Sequence, residues 1–245
     1  MVNIVLLASL IAAILPRKIE DAMPALRAIV VVGAVQALAS LAGGGGYVLG
    51  LHKNATGANL CCALMVAVEL WCQTTDRRRK RWLGAAALLI GSGLLYSLSR
   101  GAILSAAVGI GVILAIHGRL LMGVKLAAIA LPLLVMVWLA IPSQRRASAL
   151  ELDADAWNIK ARYQMVEYAY GHFQQSPWIG VGVGLRETYD ATNLIMSTLA
   201  ETGIIGLAAF LLMHLALWLR MGLAARAMPA NSLARSLCVL GLVLV

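Results

Sequence analysis

Acidic residues are scarce in this chain, with 11 Asp and Glu against 20 Lys and Arg among 245 residues. Charged residues of both signs make up only 13% of it, whereas about 25% is usual in a soluble domain. With 61% hydrophobic residues and a mean hydropathy of +0.85, the composition is that of a protein built for lipid. A net charge of +9 would point to nucleic acid in a soluble protein. Here the basic residues fall between apolar runs, where they set membrane topology, so nucleic acid is excluded as a partner. The four cysteines, Cys61, Cys62, Cys72 and Cys238, show neither a CxxC nor a Cys/His spacing, and no metal, cofactor or disulfide framework is implied. The opening MVNIVLLASLIAAILP has no basic n-region and is followed by further apolar runs, so it reads as a membrane segment rather than a signal peptide.

What is abundant is the long apolar run. Spans need roughly 17 to 25 apolar residues, and eight are expected, near 1–16, 25–42, 57–75, 82–98, 101–117, 124–141, 203–220 and 233–245. The expected fold is therefore all-α, a polytopic integral membrane protein with one long extracytoplasmic segment. Residues 1–142 form a first membrane domain of six spans, 143–202 the outer segment, and 203–245 a second membrane domain of two spans. The block DRRRKR, Asp76 to Arg81, is the strongest orientation cue and belongs in the cytoplasm. Alternating spans from it places 13 of the 20 Lys and Arg residues on the cytoplasmic side. The remaining seven are Lys53, Arg100, Arg145, Arg146, Lys160, Arg162 and Arg186.

Arg100 is the most confined of these. In SLSRGAILSAAVG it stands between two apolar runs, with only Ser99, Arg100 and Gly101 available for the turn. The outer segment opens with a helical period that puts Ile159, Tyr163, Val166, Tyr170 and Phe173 on one face. That predicts an amphipathic helix lying on the membrane or over the spans, ended at Ser176 by Pro177. Arg162 falls on the flank of its apolar face, where it either snorkels to lipid phosphate or faces the protein interior. Gly180, Gly182 and Gly184 follow no soluble strand, so they make no dinucleotide fingerprint, and turning the chain back to the membrane accounts for them. Glu69, within the third span, is either a buried functional or inter-helix contact or, with Trp71 and Gln73 beside it, close enough to the cytoplasmic edge to hydrate. His117 and His214 read as interfacial rings.

Arginines at headgroup depth suit a substrate whose phosphates sit there, because the planar guanidinium binds phosphate oxygens bidentately. A polyprenyl-diphosphate-linked sugar is such a substrate. Holding the departing diphosphate would stabilise developing negative charge, and the acceptor hydroxyl would need a base within reach. An anion transporter would also use arginines, but with spans interrupted near the midplane, which the sequence does not display.

Four stretches together resemble the O-antigen ligase and polymerase superfamily: GLHKNATGANL (50–60), YSLSRGAIL (96–104), the segment from Arg162 through SPWIGVGVG (176–184), and ATNLIMSTLAETGIIGLAAF (191–210). The resemblance covers roughly residues 30 to 220 and implies metal-independent transfer of a glycan from an undecaprenyl-diphosphate carrier in the bacterial inner membrane. The partners it implies are that carrier-linked glycan, a glycan or lipid-linked acceptor, and the bilayer. Ligase-like transfer is expected; the alternatives are repeat-unit polymerisation, transport of a lipid-linked or anionic substrate, and an inactive scaffold. By resemblance, Arg100 and Arg162 hold the diphosphate. His52, Lys53 and Asn54, in the outer GLHKN stretch, contact either phosphate and glycan or lipid headgroups; Glu201 is a substrate contact, a helix cap or an arginine partner, and Arg186, Thr192 and Asn193 are further substrate-binding candidates. The chain departs from the family in having Thr192 where a histidine is usual. A threonine hydroxyl is no general base near neutral pH, so Asp190 is expected to take that role, with Glu187 and His172 as other candidates. The chain carries fewer spans than the family's usual set and is expected to be a portion or a shortened member.

Overall fold

The computed structural model describes residues 22–43, 47–48, 51–144, 157–184, 193–229 and 232–244. The first predicted span, 1–16, and the site candidates Arg186, Asp190 and Thr192 lie outside the described residues, as do Arg145, Arg146 and Glu187. The described residues are mostly helical, with one antiparallel pair of two-residue strands, β1 (Tyr47–Val48) and β2 (Leu51–His52), Tyr47 opposite His52 and Val48 opposite Leu51, and a non-helical stretch at 176–184.

Helices α1 (Ala22–Ala42), α2 (Lys53–Gln73), α3 (Arg77–Ser97), α4 (Arg100–Ile116) and α5 (Leu120–Ala140) fall where spans two to six are expected. Further along come α6 (Trp157–Gln175), α7 (Leu194–Ala227) and α8 (Leu233–Leu244). Among the described residues, α1, α2, α5 and α7 are long and apolar enough to cross a membrane. The chain is thus an all-α membrane protein. By the same measure α4 and α8 are shorter apolar helices, and α3 begins with five basic residues.

The chain divides into two compact units, 1–149 with 221–245 and 150–220. In the first, α2 is the central helix, packed by α1, α3, α4 and α8. Its inward residues Leu60, Ala63, Val66 and Ala67 are almost wholly buried. Small residues permit this closeness. A Cβ on Gly33 would run into Ala63 of α2, and one on Gly93 of α3 would lie 2.8 Å from the Ala37 Cα of α1. Lipid tails are as apolar as leucine, so such backbone proximity, with its dense dispersion contacts, is what drives helices together in a bilayer.

In the second unit, Ala169 of α6 is buried against Ala200 of α7, with Met165 and Met196 packed around them. The packed stripe therefore differs from the aromatic one expected from periodicity: Tyr163 and Tyr170 are exposed. Two small residues bring the helices together, while the aromatic rings face outward, where a membrane interface would accept them. The helix ends at Gln175, one residue before the position predicted from Pro177.

Candidate functional site

Arg100 is not part of a turn but the first residue of α4. The turn is shorter than expected because Leu98 adopts a left-handed conformation (φ 54°) that closes α3. The Ser97 hydroxyl donates to Leu94 O at 2.7 Å and accepts from Ser99 N at 3.3 Å. Gly57 of α2 packs on Ser99, and a Cβ there would sit 2.8 Å from the Ser99 hydroxyl oxygen. Arg100 is thus exposed at the start of α4, directly after a turn whose residues Ser97 and Ser99 are buried.

The same contact brings the N-terminus of α2 to this end of the unit. His52 caps that helix, its Nδ1 accepting from Asn54 N at 3.4 Å, and His52, Lys53 and Asn54 are all exposed. Two helix N-termini, with Arg100 and Lys53 in their first turns, make this end electropositive, the arrangement that attracts phosphate. The Arg77–Arg81 block stands at the other end of α3, about 30 Å away at 1.5 Å per residue.

At that far end lies a polar cluster. Glu69 is fully buried, and Ser236 Oγ donates to it at 3.0 Å and Gln73 Nε2 at 3.2 Å, with His117 Nε2 within 3.0 Å. The inter-helix reading of Glu69 is therefore the one realised; α8 and the end of α4 cover it from water. Arg119 donates to Cys72 O at 2.7 Å and Arg235 to Ile116 O at 3.3 Å. Sequence reasoning missed the role of His117, which is not merely an interfacial ring.

The second unit holds Arg162, Asn193 and Glu201. Arg162 is exposed on α6. Asn193 is the cap of α7: its Oδ1 accepts from Ile195 N at 3.1 Å and Met196 N at 3.3 Å. Glu201 is almost entirely buried. It sits where α7 is broken, two residues before Gly203, whose backbone is non-helical (φ 65°).

The break has a definite hydrogen-bond pattern. A regular helix would bond Ile204 N to Ala200 O and Ile205 N to Glu201 O. Instead Ile204 N donates to Pro177 O (2.9 Å) and Ile205 N to Trp178 O (3.3 Å), while Ala200 O accepts from Val181 N and Glu201 O from Gly182 N, both at 3.0 Å. The 177–182 segment inserts its main chain into the opened helix and satisfies all four groups. Such proximity requires glycine on both sides: a Cβ at Gly180 (φ 73°) would strike the Glu201 carbonyl, and one at Gly203 would strike that of Trp178. These glycines do more than turn the chain; they permit a backbone crossing beneath Glu201.

Of the expected site residues, the first unit thus gathers Arg100, His52, Lys53 and Asn54 at one end. The second holds Arg162, Asn193 and Glu201. His172, also in the second unit, has its Nδ1 buried with no hydrogen-bond partner, and its ring meets Tyr168 edge-on at 4.5 Å. Among the described residues, no group of three or more His, Cys, Asp or Glu side chains gathers as a metal would require.

Apolar helices and an arginine presented on a helix start define the class, a polytopic α-helical membrane protein. The O-antigen ligase family model matches residues 85–211, slightly more than half of the chain, and the protein belongs to that family. The matched region contains Arg100, Arg162, Asn193 and Glu201 and excludes His52, Lys53 and Asn54. No curated protein matches the chain. Family membership makes it a component of envelope polysaccharide synthesis with a glycan-transfer role.

Proposed function

We propose that the protein transfers a glycan from an undecaprenyl-diphosphate carrier to an acceptor, in the manner of a ligase, at the outer face of a bacterial inner membrane. The observation that carries this reading is the fixed, exposed Arg100 at the electropositive end of the first unit, within a chain of the O-antigen ligase family. In this reading α3, α4, α8 and the segment 1–16 also cross the bilayer, giving eight spans, and 143–202 is extracytoplasmic. The separation of Arg100 from the Arg77–Arg81 block by the length of α3 supports that orientation, because basic clusters favour the cytoplasm.

The chemistry is a displacement at the sugar carbon that carries the diphosphate. A base takes the proton of the acceptor hydroxyl, the hydroxyl oxygen bonds to that carbon, and the carbon–oxygen bond to phosphate breaks. The diphosphate leaves with the electron pair, and Arg100 and Arg162 hold it bidentately. Lys53, His52, Asn54 and Arg186 contact phosphate or glycan, and Thr192, Asn193 and Glu201 position the acceptor side. Asp190 serves as base. His172 is the second candidate, favoured by its buried, unpartnered Nδ1.

The purified chain, given carrier-linked glycan and an acceptor, tests the reading. Release of carrier diphosphate coupled to glycosylation of the acceptor is the expected result. Extension of the carrier-linked glycan itself would make the protein a polymerase. Saturable translocation without a covalent product would make it a transporter, and binding alone a scaffold.

A further inference from the structure

Between α3, α4 and α5 runs a cavity of about 360 Å³ whose lining is almost wholly apolar. Trp71 closes it on the α2 side, Gly84 and Leu88 line it on α3, and Gly123, Ile129 and Leu133 on α5. From Gly123 to Leu133 the α5 wall is about 15 Å long at 1.5 Å per residue, so the cavity is a lengthwise furrow rather than a round pocket. A furrow of that shape between apolar helices suits a hydrocarbon chain.

Trp71, Gly84 and Gly123 place one end of it at the basic end of the unit. Lys80 is half-buried with its Nζ 4.5 Å from the centre of the Trp71 ring, and Gly84 stands one turn further along the same face of α3. A Cβ on Gly84 would lie 3.7 Å from Trp71 Nε1, so the absence of a side chain there leaves the N–H edge of the indole uncovered toward the furrow. This end of α3 carries five consecutive basic residues, Arg77 to Arg81, of which Lys80 is the one on Trp71; of the acids at this end, Asp76 is engaged by Arg78 N and Arg79, and Glu69 by His117, Ser236 and Gln73. An apolar furrow ending under an ammonium and an indole N–H matches a lipid with one chain in the furrow and an anionic phosphate at Lys80.

We propose that this furrow is a binding site for an anionic glycerophospholipid, one acyl chain lying along α5 and the phosphate meeting Lys80 beside Trp71. The occupant is a bulk phospholipid of the leaflet at the basic end, because its headgroup lies the length of α3 away from Arg100. The site does not depend on the transfer reaction.

Native mass spectrometry of the full chain with phosphatidylglycerol, phosphatidylcholine or a polyprenyl monophosphate tests it. Phosphatidylglycerol should be retained over phosphatidylcholine by at least about fivefold, the effect of one cation at headgroup level. Lys80→Gln should remove about fivefold of that preference. Arg78→Gln, about 200° around α3 from Lys80, should leave it intact. Gly84→Leu, which covers the indole and narrows the furrow, should lower retention of both phospholipids. A variant keeping Trp71 as its sole tryptophan should be quenched more by brominated phosphatidylglycerol than by brominated phosphatidylcholine at equal mole fraction. Equal retention of the two phospholipids in the wild type would overturn the proposal. So would equal losses in Lys80→Gln and Arg78→Gln, which mark a diffuse surface attraction. Displacement of phosphatidylglycerol by equimolar polyprenyl phosphate would assign the furrow to the carrier instead.

Discussion

Glu69 Oε2 and His117 Nε2 stand 3.0 Å apart inside the first unit, joining the end of α4 to the middle of the bundle, while Ser236 ties α8 to the same carboxylate. A carboxylate so placed is stable only while its partners remain. Glu69→Ala strands His117 and Ser236, while Gln73 keeps its bond to Ser232 O, and should lower stability by about 3 kcal/mol, and His117→Ala by about 2 kcal/mol. Thermal unfolding in a single detergent measures both. Wild-type melting of Glu69→Ala would show that the cluster does not hold α8 in place.

The backbone crossing under Glu201 gives a graded series of glycine variants. Gly203→Ala combines a left-handed φ with a clash against the Trp178 carbonyl and should cost at least about 2 kcal/mol. Gly180→Ala meets the Glu201 carbonyl and should behave alike. Gly182, also at positive φ but with open space around it, should lose about 1 kcal/mol on replacement by alanine. If all three melted together, the clash would not matter.

Arg100→Lys and Arg162→Lys keep the charge and remove the planar fork. Each should raise the transfer barrier by about 2 to 4 kcal/mol, by analogy with loss of one oxyanion donor. Steady-state rates at equal membrane insertion decide, and near-normal rates in both variants would dispose of the diphosphate clamp.

The base is separated by three further variants. Thr192→Ala should retain appreciable transfer and Asp190→Asn should lose most of it. An active Asp190→Asn beside a dead His172→Gln would move the role to His172. A dead Thr192→Ala beside an active Asp190→Asn would make Thr192 a positioning hydroxyl.

Orientation is open to impermeant thiol labelling in a background without the four native cysteines. From the outer side, Ser148→Cys should react and Thr75→Cys should not. The opposite pattern would place Arg100 in the cytoplasm and remove the premise of an outer-face transferase.

Local features were legible in the sequence. The apolar runs forecast α1 to α5 within a few residues, and Pro177 forecast the end of α6, because run length and a missing N–H act on the chain where they stand. The junction at Arg100 was legible for the same reason, a lone charge between two apolar runs, although Arg100 opens α4 instead of lying in the turn. The Glu69 cluster was not, since its partners His117 and Ser236 lie 48 and 167 residues away and no spacing rule joins them. The packed face of α6 was misread because periodicity weights large aromatic residues, while the actual contact is made by Ala169 and Ala200, whose small size lets the helices approach.

The four hydrogen bonds that lock 177–182 into α7 are made entirely by main-chain atoms, while Trp178, Ile179 and Val181 turn their side chains outward. Substitution at those three positions can therefore remodel the surface next to Glu201 without touching what holds Glu201 in place. The exposed surface at those positions can vary on an unchanged main-chain frame, with only the paired glycines constrained by it.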